Sequence, residues 1–178
     1  MILDGGATNI GIESTVLDMT TDKAVILRPG WITEESIAGI IGPIEHASSK
    51  EELQRSPGTR YRHYSPRTRV VLIEHGSSQS IERLSKEYLR NCSVGLIGHT
   101  PVDVNDTKFH AIYLKNSAPD YARSIYAALR ELDEKNTDVI LVEGISEEGE
   151  GAAVMDRIRR AASEVAEKET GARSQESE

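Results

Sequence analysis

RVVLIE, Arg69–Glu74, is the stretch whose reading decides the fold. Its run of four aliphatic residues has no polar face, so as a strand it must be covered on both sides, as in a parallel sheet held between helices. The segments that follow repeat the theme. SQSIERLSKEYLRN (78–91) predicts a helix with Ile81, Leu84, Tyr88 and Leu89 on one face, and VGLIG (94–98) a second buried strand. FHAIYLK (109–115) suits a third. SAPDYARSIYAALRELDEKN (117–136) predicts a helix capped by Ser117, with Asp120 three residues on and a stripe of Tyr121, Ile125, Ala128, Leu129 and Leu132. DVILVEG (138–144) is another continuous apolar strand, and AAVMDRIRRAASEVAEKE (152–169) predicts a closing helix with Val154, Ile158, Ala161 and Val165 inward. The alternation predicts an α/β, Rossmann-like three-layer domain over residues 67–168, followed by a disordered polar tail at 169–178.

Upstream the pattern changes. Residues 1–45 read as short strands (ILD, ESTVLDM, AVILR) and one helix, TEESIAGII, with Thr33 as N-cap, Ile37, Ile40 and Ile41 on one face, and Gly42-Pro43 as its stop. Three strands and one short helix bury too little apolar area to fold alone, so this piece is expected to be the end of a larger domain. Residues 46–66 are expected to be a linker, polar at first and ending in PGTRYRHYSP, where two prolines and a glycine bracket a loop.

Composition narrows the function classes. The 178 residues carry 29 Asp+Glu against 21 Lys+Arg, a formal net charge of −8, which argues against a broad nucleic-acid or anionic-membrane surface. No apolar run approaches the ~20 residues that span a bilayer, and no direct nucleic-acid or membrane partner is expected. The single cysteine, Cys92, permits no internal disulfide and points to a reducing cytoplasm.

Against that acidic background, Arg55, Arg60, Arg62, Arg67 and Arg69 form a positive island with no carboxylate between Leu53 and Ile73. Two readings stay open: a loop that closes over a nucleotide or another polyanion, with Tyr61, His63 and Tyr64 stacking on a base, or a linker whose arginines pair with the acidic residues on either side. Arg28, in ILRPG (26–30), lies at a strand end, where it either points into a site or snorkels at the surface. GIESTV (11–16) brings the hydroxyls of Ser14 and Thr15 to a strand start; neighbours on a strand face opposite ways, so only one can enter a given pocket. ISEEGEG (145–151) looks like a glycine-rich phosphate cradle, but three glutamates would repel bare phosphate. The histidines lack zinc-ligand spacing, and no bound metal is expected.

GIESTV, ILRPG and PGTRYRHYSP in this order, with YARSIYAALRELDEKNTDVILVEG (121–144) and GEGAAVMDRIRRAA (149–162), resemble the latter half of the two-domain threonylcarbamoyl-AMP synthases. That family joins a YrdC-like catalytic domain through a linker to a Rossmann-like domain. It combines L-threonine, bicarbonate and ATP, with Mg2+, into threonylcarbamoyl-AMP and pyrophosphate, for threonylcarbamoyladenosine modification of tRNA. The resemblance implies that Ser14 contacts L-threonine and Arg28 the ATP phosphates. The family's K-Y-x-H-Y linker motif falls on Arg60, Tyr61, His63 and Tyr64, which would fold over the nucleotide as a lid; arginine stands in the lysine position. The catalytic residues themselves stay unassigned. Residues 1–45 would be the C-terminal remnant of the YrdC-like domain, whose first half has no counterpart before Met1, so the chain is expected to be inactive alone and to need an N-terminal YrdC-like fragment. The alternative is a non-catalytic nucleotide-binding or regulatory module acting on a separate YrdC-like enzyme.

Overall fold

The structure, a computed structural model, describes residues 1, 3, 6, 8–56, 66–74 and 76–166. A small sheet comes first. Strands β1 (Val16–Asp18) and β2 (Ala24–Arg28) pair antiparallel, and β3 (Ile44–His46) adds to β2 in parallel after helix α1 (Glu34–Ile41). Thr33 caps α1 as expected, accepting the Ser36 amide on its hydroxyl, and Gly42 ends it at φ 88°, a conformation only glycine adopts without strain. The helix nonetheless buries none of its residues, and Ile40 is 86% exposed.

One expectation for this part needs correction. The strand expected over ESTVLDM is confined to Val16–Asp18, because residues 11–15 leave the small sheet to pack elsewhere. The segment expected to be a linker, 46–66, begins at the last residue of β3, His46, and includes a one-turn helix α2 (Lys50–Leu53).

The large sheet is all parallel, as the apolar strands require. It comprises β4 (Arg69–Ile73), β5 (Val94–Gly98), β6 (Phe109–Tyr113), β7 (Val139–Glu143) and β8 (Glu164–Val165), in the spatial order β6-β5-β7-β4-β8. Helix α3 (Ser78–Leu89) covers one face; α4 (Ala118–Glu134) and α5 (Gly151–Ala161) cover the other. Alternation sorts the side chains. Val70 and Leu72 join Ile125, Leu132, Val154 and Ile158 under α4 and α5, while Val71 and Ile73 join Ile81, Leu96 and Leu141 under α3. Ser117 caps α4, accepting the Asp120 amide. Here the expected helix over residues 152–169 must be shortened: α5 stops at Ala161, and Glu164–Val165 form an edge strand on β4. Val165, expected inward, is 49% exposed. No helix among the described residues is long and apolar enough to cross a membrane.

Candidate functional site

GIESTV, expected only to start a strand, is the segment that joins the two sheets. Gly11 lies against α4 so closely that a Cβ there would sit 2.3 Å from the Ala122 carbonyl oxygen. Ile12 is buried among the core residues of α4 and α5, with Trp31 packed on the same cluster. Glu13 then meets α5: Arg157 donates from Nε to its Oε2 at 2.7 Å. Ser14 is exposed, and its carbonyl accepts from Arg28 Nε at 3.2 Å and Nη2 at 2.9 Å. The Thr15 hydroxyl donates to the Ile32 carbonyl at 2.5 Å, so Thr15 takes a structural role.

Gly30 makes this approach possible. A Cβ at residue 30 would lie 2.1 Å from the Thr15 amide nitrogen and 2.3 Å from the Ser14 carbonyl carbon, so only a bare backbone lets the ILRPG turn touch the 13–15 peptide. Ser14 and Arg28, both singled out from the sequence, therefore stand side by side on the outward edge of this contact.

The charges around them form a cluster that sequence reading missed. Arg157, whose side chain is 5% exposed, also bonds Asp156 Oδ2 from Nη1 at 2.6 Å, and Asp156 is held in turn by Arg160 at 2.9 and 3.0 Å. Among the described residues, Arg157 Nη2 has no partner. Burial works to raise the Glu13 pKa, but the Arg157 hydrogen bond, the peptide amide and the charges of Arg157 and Arg28 outweigh it and hold the carboxyl below its usual range. Burial and the nearby Arg157 charge press against the cationic form of Arg28. A signal for Arg157 was present: Val154, Arg157, Ile158 and Ala161 follow the i, i+3, i+4, i+7 spacing of an inward helical stripe, so the arginine occupies an apolar position.

The depressed Glu13 pKa carries a pH dependence with a definite sign. A carboxylate stabilised in the fold contributes fully above its unfolded value, about 4.5, and that contribution is lost as acid takes the pH below it. Acid titration followed by Trp31 fluorescence is expected to show residues 11–15 loosening below that range, and Glu13→Gln to remove the step.

The other sequence candidates resolve differently. Arg60, Tyr61, His63 and Tyr64, with Arg62, lie outside the described residues. Arg55 pairs with buried Asp18 at 2.5 Å, and Arg69 pairs with Glu164 and stacks on the Tyr88 ring, so these two follow the ion-pairing reading of the arginine island. In ISEEGEG, Glu147 is bound by Arg159, which also reaches Glu74 at 2.8 Å and so ties the loops after β4 and β7 together.

The large sheet has its own crevice. The chain leaves β5 toward the β6 edge and β7 toward the β8 edge, so the gap between the ends of β5 and β7 is the switch point where α/β sheets commonly take ligands. Here Glu143 fills it. Its carboxylate, 3% exposed, accepts the His99 and Thr100 amides at 2.7 and 2.9 Å and the Thr100 hydroxyl at 2.5 Å, with His99 Nε2 at 3.2 Å. Tyr121 closes the network from below by donating to the Glu143 carbonyl, and burial, aided by the Glu143 charge, pushes its phenol pKa well up. A buried carboxylate at that point disfavours phosphate, so the crevice does not support a nucleotide there.

Comparison with known proteins places this arrangement. A family model described as threonylcarbamoyl-AMP synthase, C-terminal domain, matches residues 32–163. The chain is similar to threonylcarbamoyl-AMP synthases of Pyrococcus abyssi (38% identical) and Bacillus subtilis (37%), each over 169 residues that make up 90% of this chain and 48% of the relative. The Schizosaccharomyces pombe protein of the same name is 33% identical over 187 residues, 94% of this chain and 46% of that one. The crystal structure of P. abyssi Sua5 complexed with L-threonine superposes with a TM-score of 0.78, covering 89% of this chain and 48% of that chain at 38% identity. The chain thus spans about half the length of the curated relatives it matches.

Proposed function

This chain belongs to the threonylcarbamoyl-AMP synthase family, of which it carries the C-terminal domain, and from that premise we propose that it takes part in making threonylcarbamoyl-AMP from L-threonine, bicarbonate and ATP. In this reading the outward edge of the 11–15 segment is one wall of the catalytic site, and a YrdC-like half supplies the rest. Ser14 contacts L-threonine, Arg28 contacts the phosphates of MgATP, and Arg60, Tyr61, His63 and Tyr64 close over the nucleotide. The threonine amine attacks the bicarbonate carbon and water is lost, forming a carbamate. A carbamate oxygen then attacks the α-phosphorus as the bond to pyrophosphate breaks, and the activated carbamate goes on to the adenosine of tRNA. Such a labile carbamate needs a closed, preorganised site, which is why one wall is insufficient.

The observation that carries the reading is the placement of Arg28 against the Ser14 carbonyl at 2.9 Å, in a chain similar to a protein crystallised with L-threonine. The YrdC-like half has support of its own. Helix α1 buries no residue, and Ile40, Met19 and Ile32 are 86%, 61% and 55% exposed, large apolar side chains that a covering domain would take out of water.

The test is pyrophosphate release dependent on threonine and bicarbonate. The chain alone is expected to give none and the chain assembled with a YrdC-like half to give turnover, with Arg28→Ala reducing it at least about 100-fold. An assembled protein without threonine-dependent turnover overturns the functional reading; turnover by the chain alone overturns the need for the second half.

A further inference from the structure

We propose that Arg157, on α5 of the large domain, is a positioning residue for the reaction: by holding Glu13 it fixes the adjoining Ser14 peptide and, through it, Arg28. The inference rests on the functional reading above, but the geometry behind it stands independently. Three contacts pin the segment on its inner side: Ile12 in the core under α4 and α5, the Glu13–Arg157 bond at 2.7 Å, and the Thr15–Ile32 bond. Of these, only the Arg157 bond reaches the residue directly before Ser14.

The chemistry of the pair suits a fixed anchor. Arg157 is nearly buried and its fork is committed in two directions, Nε to Glu13 and Nη1 to Asp156, while Asp156 is clamped from the far side by Arg160. A guanidinium held this way cannot swing without breaking its bond to half-buried Glu13, so its position transmits that of α5. Lysine, with one ammonium, cannot satisfy Glu13 and Asp156 in the same geometry. Ser14 is thus tied to α5 through the side chain of the preceding Glu13 and, through its own carbonyl, to the Arg28 guanidinium. A displaced Glu13 would move Ser14, and with it the Arg28 guanidinium bonded to its carbonyl, relative to a substrate bound along their outward edge.

Two measurements test this. In the chain itself, Arg157→Lys is expected to speed amide exchange of residues 13–18 about tenfold while leaving residues 139–143 of β7 unchanged. In the chain assembled with a YrdC-like half, Arg157→Lys and Glu13→Gln are each expected to raise KM for threonine about tenfold with a smaller change in kcat, and the double variant to do no worse than the stronger single one. A purely structural role would instead lower the active fraction and leave KM alone. Unchanged exchange at residues 13–18, or a KM for threonine like that of the unaltered protein, overturns the proposal while the function stands. An unaltered assembly without turnover overturns the function and with it the positioning role.

Discussion

Gly30→Ala is expected to cut threonine-dependent turnover of the assembled protein at least about 100-fold, the loss typical of displacing reacting groups by ~1 Å. The added methyl carbon would lie 2.1 Å from the Thr15 nitrogen and 2.7 Å from the Glu13 carbonyl oxygen. These are main-chain atoms, so no rotamer can relieve the overlap. Either residues 13–15 lift off or the 28–32 turn recoils, and each outcome pulls Ser14 away from Arg28. The strain is of the order of 3 kcal/mol, at the upper end for overpacking, because Ile12 and Glu13 resist the lift. Trp31 follows Gly30 and is the sole tryptophan, so its emission is expected to shift red as it loosens from the core. Turnover within about threefold of the unaltered protein, with unchanged emission, would mean that the close contact is not what aligns these residues.

Glu143→Ala is expected to destabilise the large domain by about 3–5 kcal/mol without touching the 11–15 segment. The substitution takes the acceptor from the half-buried His99 and Thr100 amides, the Thr100 hydroxyl and the His99 ring at once. Half-buried donors left without an acceptor cost about 1 kcal/mol each, the lower end of the range for orphaned donors, and four such bonds are lost together. At about 4–8 °C per kcal/mol for a domain of this size, the thermal midpoint by circular dichroism should fall by on the order of 15 °C or more. Nearby Gly98 reinforces the expectation, since a Cβ there would meet Glu143 Oε2 at 2.6 Å: the strand end is shaped around the carboxylate. A midpoint shift under about 3 °C would show that the loop finds other acceptors.

Four of the five strands of the large sheet, β4 to β7, were readable because each announces itself locally. RVVLIE, VGLIG and DVILVEG are short apolar runs, and the stripe from Tyr121 to Leu132 has helical spacing, so period and length suffice to separate strands from helices. Val165 misled for the same reason: its spacing continues the stripe of Ile158 and Ala161, but Ala162 turns to an extended conformation, ψ 140°, and the chain pairs with β4. Ser14 and Arg28 were singled out through family motifs, whereas Glu13 and Arg157 beside them were not. Glu143 escaped notice because its partners lie 43 and 44 residues away, where no local period reaches. Pairings of that range follow from the order of strands in the sheet, which the one-dimensional pattern of apolar residues leaves open.

The bond between Glu13 and Arg157 joins residues 144 positions apart, one in each of the regions that a gene-level dissection would treat as separable modules. Exchanging the large domain for that of a distant relative would swap α5 and keep the 11–15 segment, splitting a matched acid and base between two ancestries. Heredity in this family should accordingly treat the pair as one trait, passed on or lost together, with the natural crossover points lying outside the interval that the pair encloses.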